Sequence, residues 1–293
     1  MLLGRTLTLI TIIAALLSIS SNVQAEEIDL KALSIKAEQG SGNDSYKLGL
    51  IYEERGDYEA AEKWYRAGVF YENHLSALAL YSLGESGKRK IENIELYKGL
   101  GLKTLQERAT TYGSAAYELS QLYQTGLHLQ KDKELAFKWL LKADAMGERK
   151  AALELGSIYL SGFYQTVDTA RALSYFKRAY ELGAIDAARP IALIYASGSY
   201  KNMDEALKYW RIAAENGDAL SMRDIGNYYA RSKGDKAEAL KWYEKAAQAG
   251  EADSQYYLAM HYKNTNPTKA KALLKKAKTQ EHFLSMVELE KSK

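Results

Sequence analysis

A pattern of glycines and tyrosines recurs along most of this chain at a nearly constant interval. Five of the glycines are spaced 34, 36, 34 and 33 residues apart, and a set of tyrosines has a similar spacing. A period of roughly 20 to 50 residues is typical of repeat architectures. We therefore expect one structural unit per repeat. The glycines are Gly113, Gly147, Gly183, Gly217 and Gly250.

The first half of each unit has the form A-x-x-x-L-G-x-x-Y, as in the segment from Ala151 to Tyr159. Apolar residues at offsets 0, 4, 7 and 8 lie on one face of a helix. A glycine inside a helix costs about 1 kcal/mol relative to alanine. The small residue at offset 5, such as Gly156, is therefore expected to let a neighbouring helix come close.

The second half of each unit has the form A-x-x-[WY]-[YFWL]-x-x-A, as in the segment from Ala239 to Ala246. The alanines allow close helix packing, and we expect the aromatic pair to fill the wider gaps, with Trp242 on the packed face. A glycine follows, which is the usual residue in the left-handed conformation that ends a helix. Asp186 and Asp218 are expected to cap the next helices.

These patterns predict an all-α fold, because two helices of this size bury their apolar faces only when neighbouring pairs stack. We expect a right-handed α/α superhelical solenoid of about seven helix-turn-helix repeats over residues 42–280. Capping helices are expected within 26–41 and 281–293. The unit from His74 to Gly113 departs most, with a second helix extended to about Thr111, and this departure is either a functional insertion or, as we favour, drift.

The segment "AALELGSIYLSGFYQTVDTARALSYFKRAYELG" resembles a Sel-1-like repeat (SLR), a relative of the tetratricopeptide repeat. "EALKYWRIAAENG" and "EALKWYEKAAQAG" are similar to the second helix of such repeats. The resemblance extends over roughly residues 42–278. It implies a non-catalytic adaptor, since exported bacterial members of this family assist exopolysaccharide export, signalling, motility or host interaction.

The first 25 residues have the form of a secretory signal peptide. Arg5 precedes an apolar run from Leu7 to Leu17, and Val23-Gln24-Ala25 gives an A-x-A-like cleavage site. A membrane anchor is the alternative, but a bilayer span needs roughly 20 apolar residues. We therefore expect cleavage after Ala25 and a periplasmic or secreted protein, with no stable membrane insertion afterwards.

Composition narrows the classes of chemistry further. The sequence has no cysteine, which excludes disulfides, thiolate metal sites and cysteine nucleophiles. The net charge of +3 falls to +2 when Arg5 is removed, so the chain lacks the basic character of a nucleic-acid-binding protein.

No catalytic constellation is evident from the sequence. The four histidines are far apart, and neither "GSGNDS" at 40–45 nor "GLGLK" at 99–103 has the spacing of a phosphate-binding loop. We therefore expect no catalytic, cofactor-binding or metal-binding residues, and no enzyme activity.

The leading hypothesis is an exported scaffold that binds a protein partner of the cell envelope or host through its concave face. The alternative is a polysaccharide-binding or exopolysaccharide-export accessory protein, which the 23 tyrosines suggest. Against that alternative, most tyrosines occupy the packing positions of the repeat.

Helix geometry predicts which residues face the partner. Offsets 2, 6 and 9 of each first helix lie opposite the buried offsets at 100° per residue, and we name this set the first-helix row. Arg189 and Arg223 fall at equivalent positions in neighbouring repeats, and we expect them to engage an acidic partner without contributing to the fold. The candidate partner-binding residues are Tyr117, Gln121, Arg189, Arg223, Asn227 and Tyr256.

Overall fold

The computed structural model describes residues 30–163 and 166–291. Every regular element in this part of the chain is helical, so the prediction of an all-α fold is confirmed. The described residues form two compact units, one ending at Glu148 and one beginning at Arg149. The predicted signal peptide and its cleavage site lie outside the described residues.

The first unit consists of one helix followed by three helix pairs. Its helices are α1 (Leu30–Glu38), α2 (Gly42–Glu54), α3 (Tyr58–Phe70), α4 (His74–Glu85), α5 (Ile94–Arg108), α6 (Gly113–Thr125) and α7 (Lys133–Ala145). Helix α1 packs on the first pair through Ala37, which is buried against Leu48 and Trp64.

The second unit consists of four helix pairs and a final helix. Its helices are α8 (Arg149–Ser161), α9 (Thr169–Glu181), α10 (Ala188–Ala196), α11 (Met203–Glu215), α12 (Ala219–Tyr228), α13 (Lys236–Gln248), α14 (Ala252–Tyr262), α15 (Pro267–Lys278) and α16 (Phe283–Lys291). Leu289 of α16 packs on the last pair, against the cluster of Ala259, Ala270 and Leu274. The described residues thus hold seven helix pairs, the number of repeats that the sequence predicted.

One backbone hydrogen bond closes six of the seven pairs in the same way. The N–H of the residue that caps the second helix donates to the carbonyl oxygen of the motif tyrosine, with N···O distances of 2.8–3.0 Å. The donor and acceptor of each bond are four to nine positions apart in the sequence. The second helix therefore begins next to the motif tyrosine of the first helix even though the loops differ in length. The donor and acceptor residues are Asp57 and Tyr52, Asp132 and Tyr123, Asp168 and Tyr159, Asn202 and Tyr195, Asp235 and Tyr229, and Asn266 and Tyr262.

The exception is the pair α4/α5, the unit that departs from the repeat in sequence. Asn93 precedes α5 with a left-handed φ of 56° and gives no side-chain cap. Helix α5 has 15 residues, against 13 in the second helix of most pairs, and ends at Arg108 rather than near Thr111. The predicted extension is therefore correct in kind but three residues too long.

The glycines predicted to end second helices agree with the structure, whereas one of the two predicted caps does not. Gly147, Gly183, Gly217 and Gly250 all have φ between 81° and 98°, the left-handed region that favours glycine. Asp218 accepts a hydrogen bond from the Ser221 N–H at 2.8 Å and caps α12. Asp186 instead lies inside a short 3₁₀ turn, Ile185–Ala187, and caps no helix, so that expectation is wrong.

The small residue at offset 5 packs against an aromatic ring, as its position predicted. A Cβ atom on Gly156 would lie 2.6 Å from the Phe176 ring, and one on Gly226 would lie 2.8 Å from the Tyr243 ring. Both separations are too short for carbon atoms. Glycine is therefore required at these two positions, where the two helices of a pair touch.

The two glycines of the "GLGLK" segment give opposite predictions for substitution by alanine. A Cβ on Gly101 would lie 2.7 Å from the His74 carbonyl oxygen and from Leu78 Cγ, whereas one on Gly99 would meet nothing within 4 Å. We expect Gly101→Ala to lower the free energy of unfolding by about 1–3 kcal/mol through overpacking. Gly99→Ala should raise it by about 0.4–1 kcal/mol, because alanine restricts the unfolded chain. Urea unfolding of both variants measures the difference, and a shift of the same sign in both would contradict this packing.

Candidate partner-binding surface

The structure divides the six candidate residues between the two units. Tyr117 and Gln121 lie half-buried on α6 of the first unit. In the second unit Arg189 lies on α10, Arg223 and Asn227 on α12, and Tyr256 on α14, all partly exposed. The second unit therefore brings one member from each of three successive first helices into one row.

Arg189 pairs with acidic residues of the next repeat. Its Nε lies 3.5 Å from a carboxylate oxygen of Asp218, and one of its terminal nitrogens lies 3.8 Å from Asp224. Because Asp218 caps α12, the ion pair joins the start of one first helix to the start of the next.

Arg223 repeats this arrangement one unit later. One of its terminal nitrogens lies 3.1 Å from Glu251 and 2.8 Å from Asp253, and the other lies 3.4 Å from Asp224. Glu251 is buried and caps α14. Asp253 in turn lies 3.1 Å from Nε2 of His282, so the polar contacts continue to the segment before α16.

The pKa values of this ladder reflect its partial burial. Burial opposes the charge of Arg223, but the carboxylates of Asp224, Glu251 and Asp253 outweigh it and raise its pKa. Burial raises the pKa of Asp224, and the charges of Arg223 and Arg189 offset this only in part.

These ion pairs correct the expectation that neither arginine contributes to the fold. Arg189 and Arg223 bridge successive repeats, and reversing their charge would place new carboxylates beside Asp224 and Glu251. Their role in binding an acidic partner stays a prediction, and charge reversal would not separate that role from stability.

We expect Arg223→Ala to lower the free energy of unfolding by about 1 kcal/mol. The side chain is 24% exposed, and solvent screening limits what its ion pairs contribute. Arg231→Ala is the matched control, because Arg231 is exposed on the same repeat and makes no side-chain ion pair or hydrogen bond in the part of the protein described. Thermal unfolding of both variants tests the ladder, and equal stability of the two would argue against it.

Two adjoining hollows lie along the first-helix row of the second unit. The first has a volume of about 310 Å³, and we name it the tyrosine hollow. Its lining residues are Arg223, Asn227, Arg231, Tyr243, Asp253, Ser254 and Tyr257. The second has a volume of about 300 Å³, and we name it the basic hollow. Its lining residues are Leu193, Ala196, Lys201, Met203, Trp210, Asp224, Asn227, Tyr228, Arg231 and Ser232. Asn227 and Arg231 line both.

A π-helical turn, Tyr229–Lys233, carries Arg231 and Ser232 to these hollows. It continues α12 and ends at Gly234, whose φ is 68°. Such turns are rare and occur frequently at functional sites. Within the described residues this is the one π-helical segment, so the repeat with the most irregular first helix is also the one that lines both hollows.

In the first unit, by contrast, a loop of the protein itself covers one position of the first-helix row. Tyr46 stands at offset 2 of α2, yet it is buried, and its hydroxyl lies 3.3 Å from Nε2 of His128. His128 and Leu129 follow α6 and are buried as well. This position is therefore closed to a partner.

Sequence reasoning found Arg223 and Asn227 but missed other residues of the hollows. Lys201 lies on a loop, Trp210 on the second helix α11 and Arg231 in the π-helical turn. All three are therefore outside the first-helix row. The sequence did contain one sign of Arg231. Between Tyr229 and the capping residue Asp235 lies the short basic segment "ARSKG".

Comparison with known families identifies the repeat. The model of the Sel1 repeat matches six segments, which together exceed half of the chain: 42–68, 113–147, 149–183, 187–218, 219–251 and 252–282. The chain belongs to the Sel1 repeat family. The resemblance drawn from the sequence is thus confirmed, and the divergent pair α4/α5 falls between the first two matches.

Solved structures with a similar fold agree with this assignment. A protective antigen of uropathogenic Escherichia coli, which displays an SLR fold, is 24% identical with a TM-score of 0.54. The match covers 85% of this chain and 56% of that one, so this chain spans little more than half the antigen's length. A Sel1 repeat protein from Oxalobacter formigenes is 22% identical with a TM-score of 0.54, over 80% of this chain and 99% of that one. Comparison with curated proteins gave no significant match.

Two further observations bear on the chemistry available. The described residues contain no group of three or more His, Cys, Asp or Glu side chains arranged to hold a metal ion. None of the helices within 30–163 and 166–291 is both long and apolar enough to cross a membrane.

Proposed function

We propose that this Sel1 repeat protein is a non-catalytic exported scaffold that binds a protein partner through the first-helix row of its second unit. Sel1 repeats are commonly protein-interaction scaffolds, and the fold is typically non-catalytic. The observation that carries the proposal is the pair of adjoining hollows on this row, which share Asn227 and Arg231. Aromatic and arginine side chains of the kind found there are enriched at binding hot spots.

We place the partner on the second unit because the first-helix row is covered at one position in the first unit and open in the second. In the first unit the His128 loop covers Tyr46, whereas in the second unit Arg223, at the equivalent offset of α12, lines the tyrosine hollow. Envelope assembly, signalling and host interaction are the settings in which an exported scaffold of this kind would act.

Site-specific photocrosslinking in cells tests this proposal. Tyr257 is 44% exposed and lines the tyrosine hollow, so a photoreactive phenylalanine derivative fits its place. The same derivative at Lys271, exposed on α15 and outside both hollows, is the control. We expect a discrete crosslinked protein from position 257 only. No crosslink, or the same crosslinks from both positions, would remove the proposal.

Export rests on the sequence of residues 1–25 alone. We expect the protein recovered from the periplasm or medium to begin at Glu26, because the Val23-Gln24-Ala25 site precedes it. Intact mass and N-terminal sequencing measure this directly. A protein that keeps residues 1–25 in the membrane fraction would show that the segment is an anchor.

A polysaccharide partner is the second candidate, and one feature of the tyrosine hollow favours it. The exposed ring of Tyr257 stands with the polar groups of Asn227 and Asp253, a combination that suits a sugar. Calorimetry with envelope polysaccharides, using Tyr257→Ala as the control, tests this candidate. Binding that is absent, or that Tyr257→Ala leaves unchanged, would eliminate it.

A further inference from the structure

The basic hollow combines two cations with an aliphatic floor. Lys201 and Arg231 are exposed, and neither side chain forms an ion pair or hydrogen bond with any described residue. They differ in this from Arg189 and Arg223, whose charges are held by carboxylates of the protein itself. Lys201 and Arg231 are thus the cations available to a ligand.

The acidic group in this hollow does not cancel those cations. Asp224 lines the hollow, but it is ion-paired with Arg223 at 3.4 Å and lies 3.8 Å from Arg189. Even with its full charge, Asp224 is one carboxylate against the two cations Lys201 and Arg231 in the lining. The charge that the hollow presents to a ligand is positive.

The accessible apolar surface of the hollow is aliphatic. Leu193 is 37% exposed, and Ala196 and Met203 are half-buried beside it. The two aromatic residues, Trp210 and Tyr228, are more than nine-tenths buried, so neither offers an open ring face to a sugar. An aliphatic side chain of a peptide fits this floor better than a pyranose ring does.

Trp210, which lines this hollow, carries an unpaired donor. Nε1 of Trp210 is buried without a hydrogen-bond partner among the described residues. Buried polar atoms are nearly always paired, so an exception calls for an explanation. An indole N–H only donates, and its natural partner is an acceptor such as a carboxylate oxygen.

We propose that the basic hollow binds a peptide carboxylate that stands next to an aliphatic side chain. Arg231 and Lys201 hold the carboxylate, and Leu193, Ala196 and Met203 hold the side chain. The inference rests on the proposed scaffold function and gives the chemistry of its partner. The carboxylate comes either from the C-terminus of a polypeptide or from an Asp or Glu beside an aliphatic residue.

The test uses the purified full-length protein and two libraries of random heptapeptides, one with free and one with amidated C-termini. We expect the enriched peptides to pair a carboxylate with a neighbouring Leu, Ile or Val. Enrichment from the free-terminus library alone would assign the C-terminus, and enrichment from both would assign an acidic side chain.

Variants then locate the binding site. We expect Arg231→Glu and Lys201→Glu each to raise the Kd of the enriched peptide at least tenfold in calorimetry. Lys271→Glu makes the same charge change outside the hollow and should leave the Kd unchanged. Circular dichroism should show the same thermal unfolding for all three, because none of these side chains forms an ion pair or hydrogen bond with another described residue.

Several outcomes would overturn the inference. They are no enriched peptide, enriched peptides without the carboxylate and aliphatic pair, or binding that neither hollow variant weakens. Binding of alginate oligosaccharides with the same loss in Arg231→Glu would assign the hollow to a polysaccharide instead. The photocrosslink at position 257 distinguishes failure of this inference from failure of the proposed scaffold function. If that crosslink forms while any of these outcomes is found, the scaffold function is retained and only the proposed ligand is wrong.

Discussion

Replacing Tyr243 by alanine is expected to lower the free energy of unfolding by about 3–5 kcal/mol, the range for large buried aromatic side chains. The ring is 4% exposed and belongs to a cluster with Ala239, Ala247 and Leu258. It also fills the space beside Gly226, where a Cβ would be only 2.8 Å away. Urea unfolding followed by tryptophan fluorescence measures the loss.

Trp242→Ala is the matched control one residue earlier, and we expect it to cost only about 1 kcal/mol. Trp242 is half-exposed, its Nε1 donates to Glu238 at 3.1 Å, and Lys245 Nζ lies 4.0 Å from its ring centroid. A cation–π contact at an exposed site contributes about 0.5–1 kcal/mol. Equal losses in the two variants would mean that both rings pack the core.

The same comparison shows where sequence reasoning about the core was wrong. The sequence predicted Trp242 on the packed face because its motif position lies between two alanines. In the structure the second member of each aromatic pair is the more buried one, as Phe176 and Tyr243 are, while Tyr175 and Trp242 remain half-exposed. Both members flank the alanine stripe, and for Phe176 and Tyr243 it is the contact with the glycine of the partner helix that distinguishes the buried ring.

The repeat period, the helix pairs and most of the caps were predictable because each depends on residues close in sequence. Gly183 ends its helix and Asp218 caps the next through local backbone geometry alone. The ladder through Arg189 and Arg223 depends on side chains about 30 residues apart, which meet only when repeats stack. No local pattern contains that information.

The candidate site was predictable to a smaller degree. Helix geometry placed Arg223 and Asn227 on the row that borders the hollows. It could not place Arg231, because a π-helical turn changes the angle between successive residues after Tyr228. The sequence also contains no sign that His128 would reach Tyr46, since 82 residues separate them.

His128 leads to the second large expected effect, a loss of stability in acid. Burial lowers its pKa from 6.5 to about 4; the charge of Glu53 opposes this shift, and that of Lys88 adds to it. The folded protein therefore keeps the ring neutral at pH values where an unfolded histidine takes a proton. Between pH 6.5 and pH 4 only the unfolded state gains that proton, so falling pH favours unfolding.

We expect this one residue to remove about 3 kcal/mol from the free energy of unfolding as the pH falls across that window, at about 1.4 kcal/mol for each pKa unit. The control is His128→Asn, because asparagine tolerates the left-handed φ of 61° at this position and does not titrate. Hydrogen exchange of the α2 and α6 amides, measured across the window and corrected for intrinsic rates, reports the stability of the first unit. The slope with pH should be clearly shallower in the variant. Parallel profiles for the two proteins would mean that the ring is protonated in the folded state and that the loop over Tyr46 opens far more readily than its burial implies.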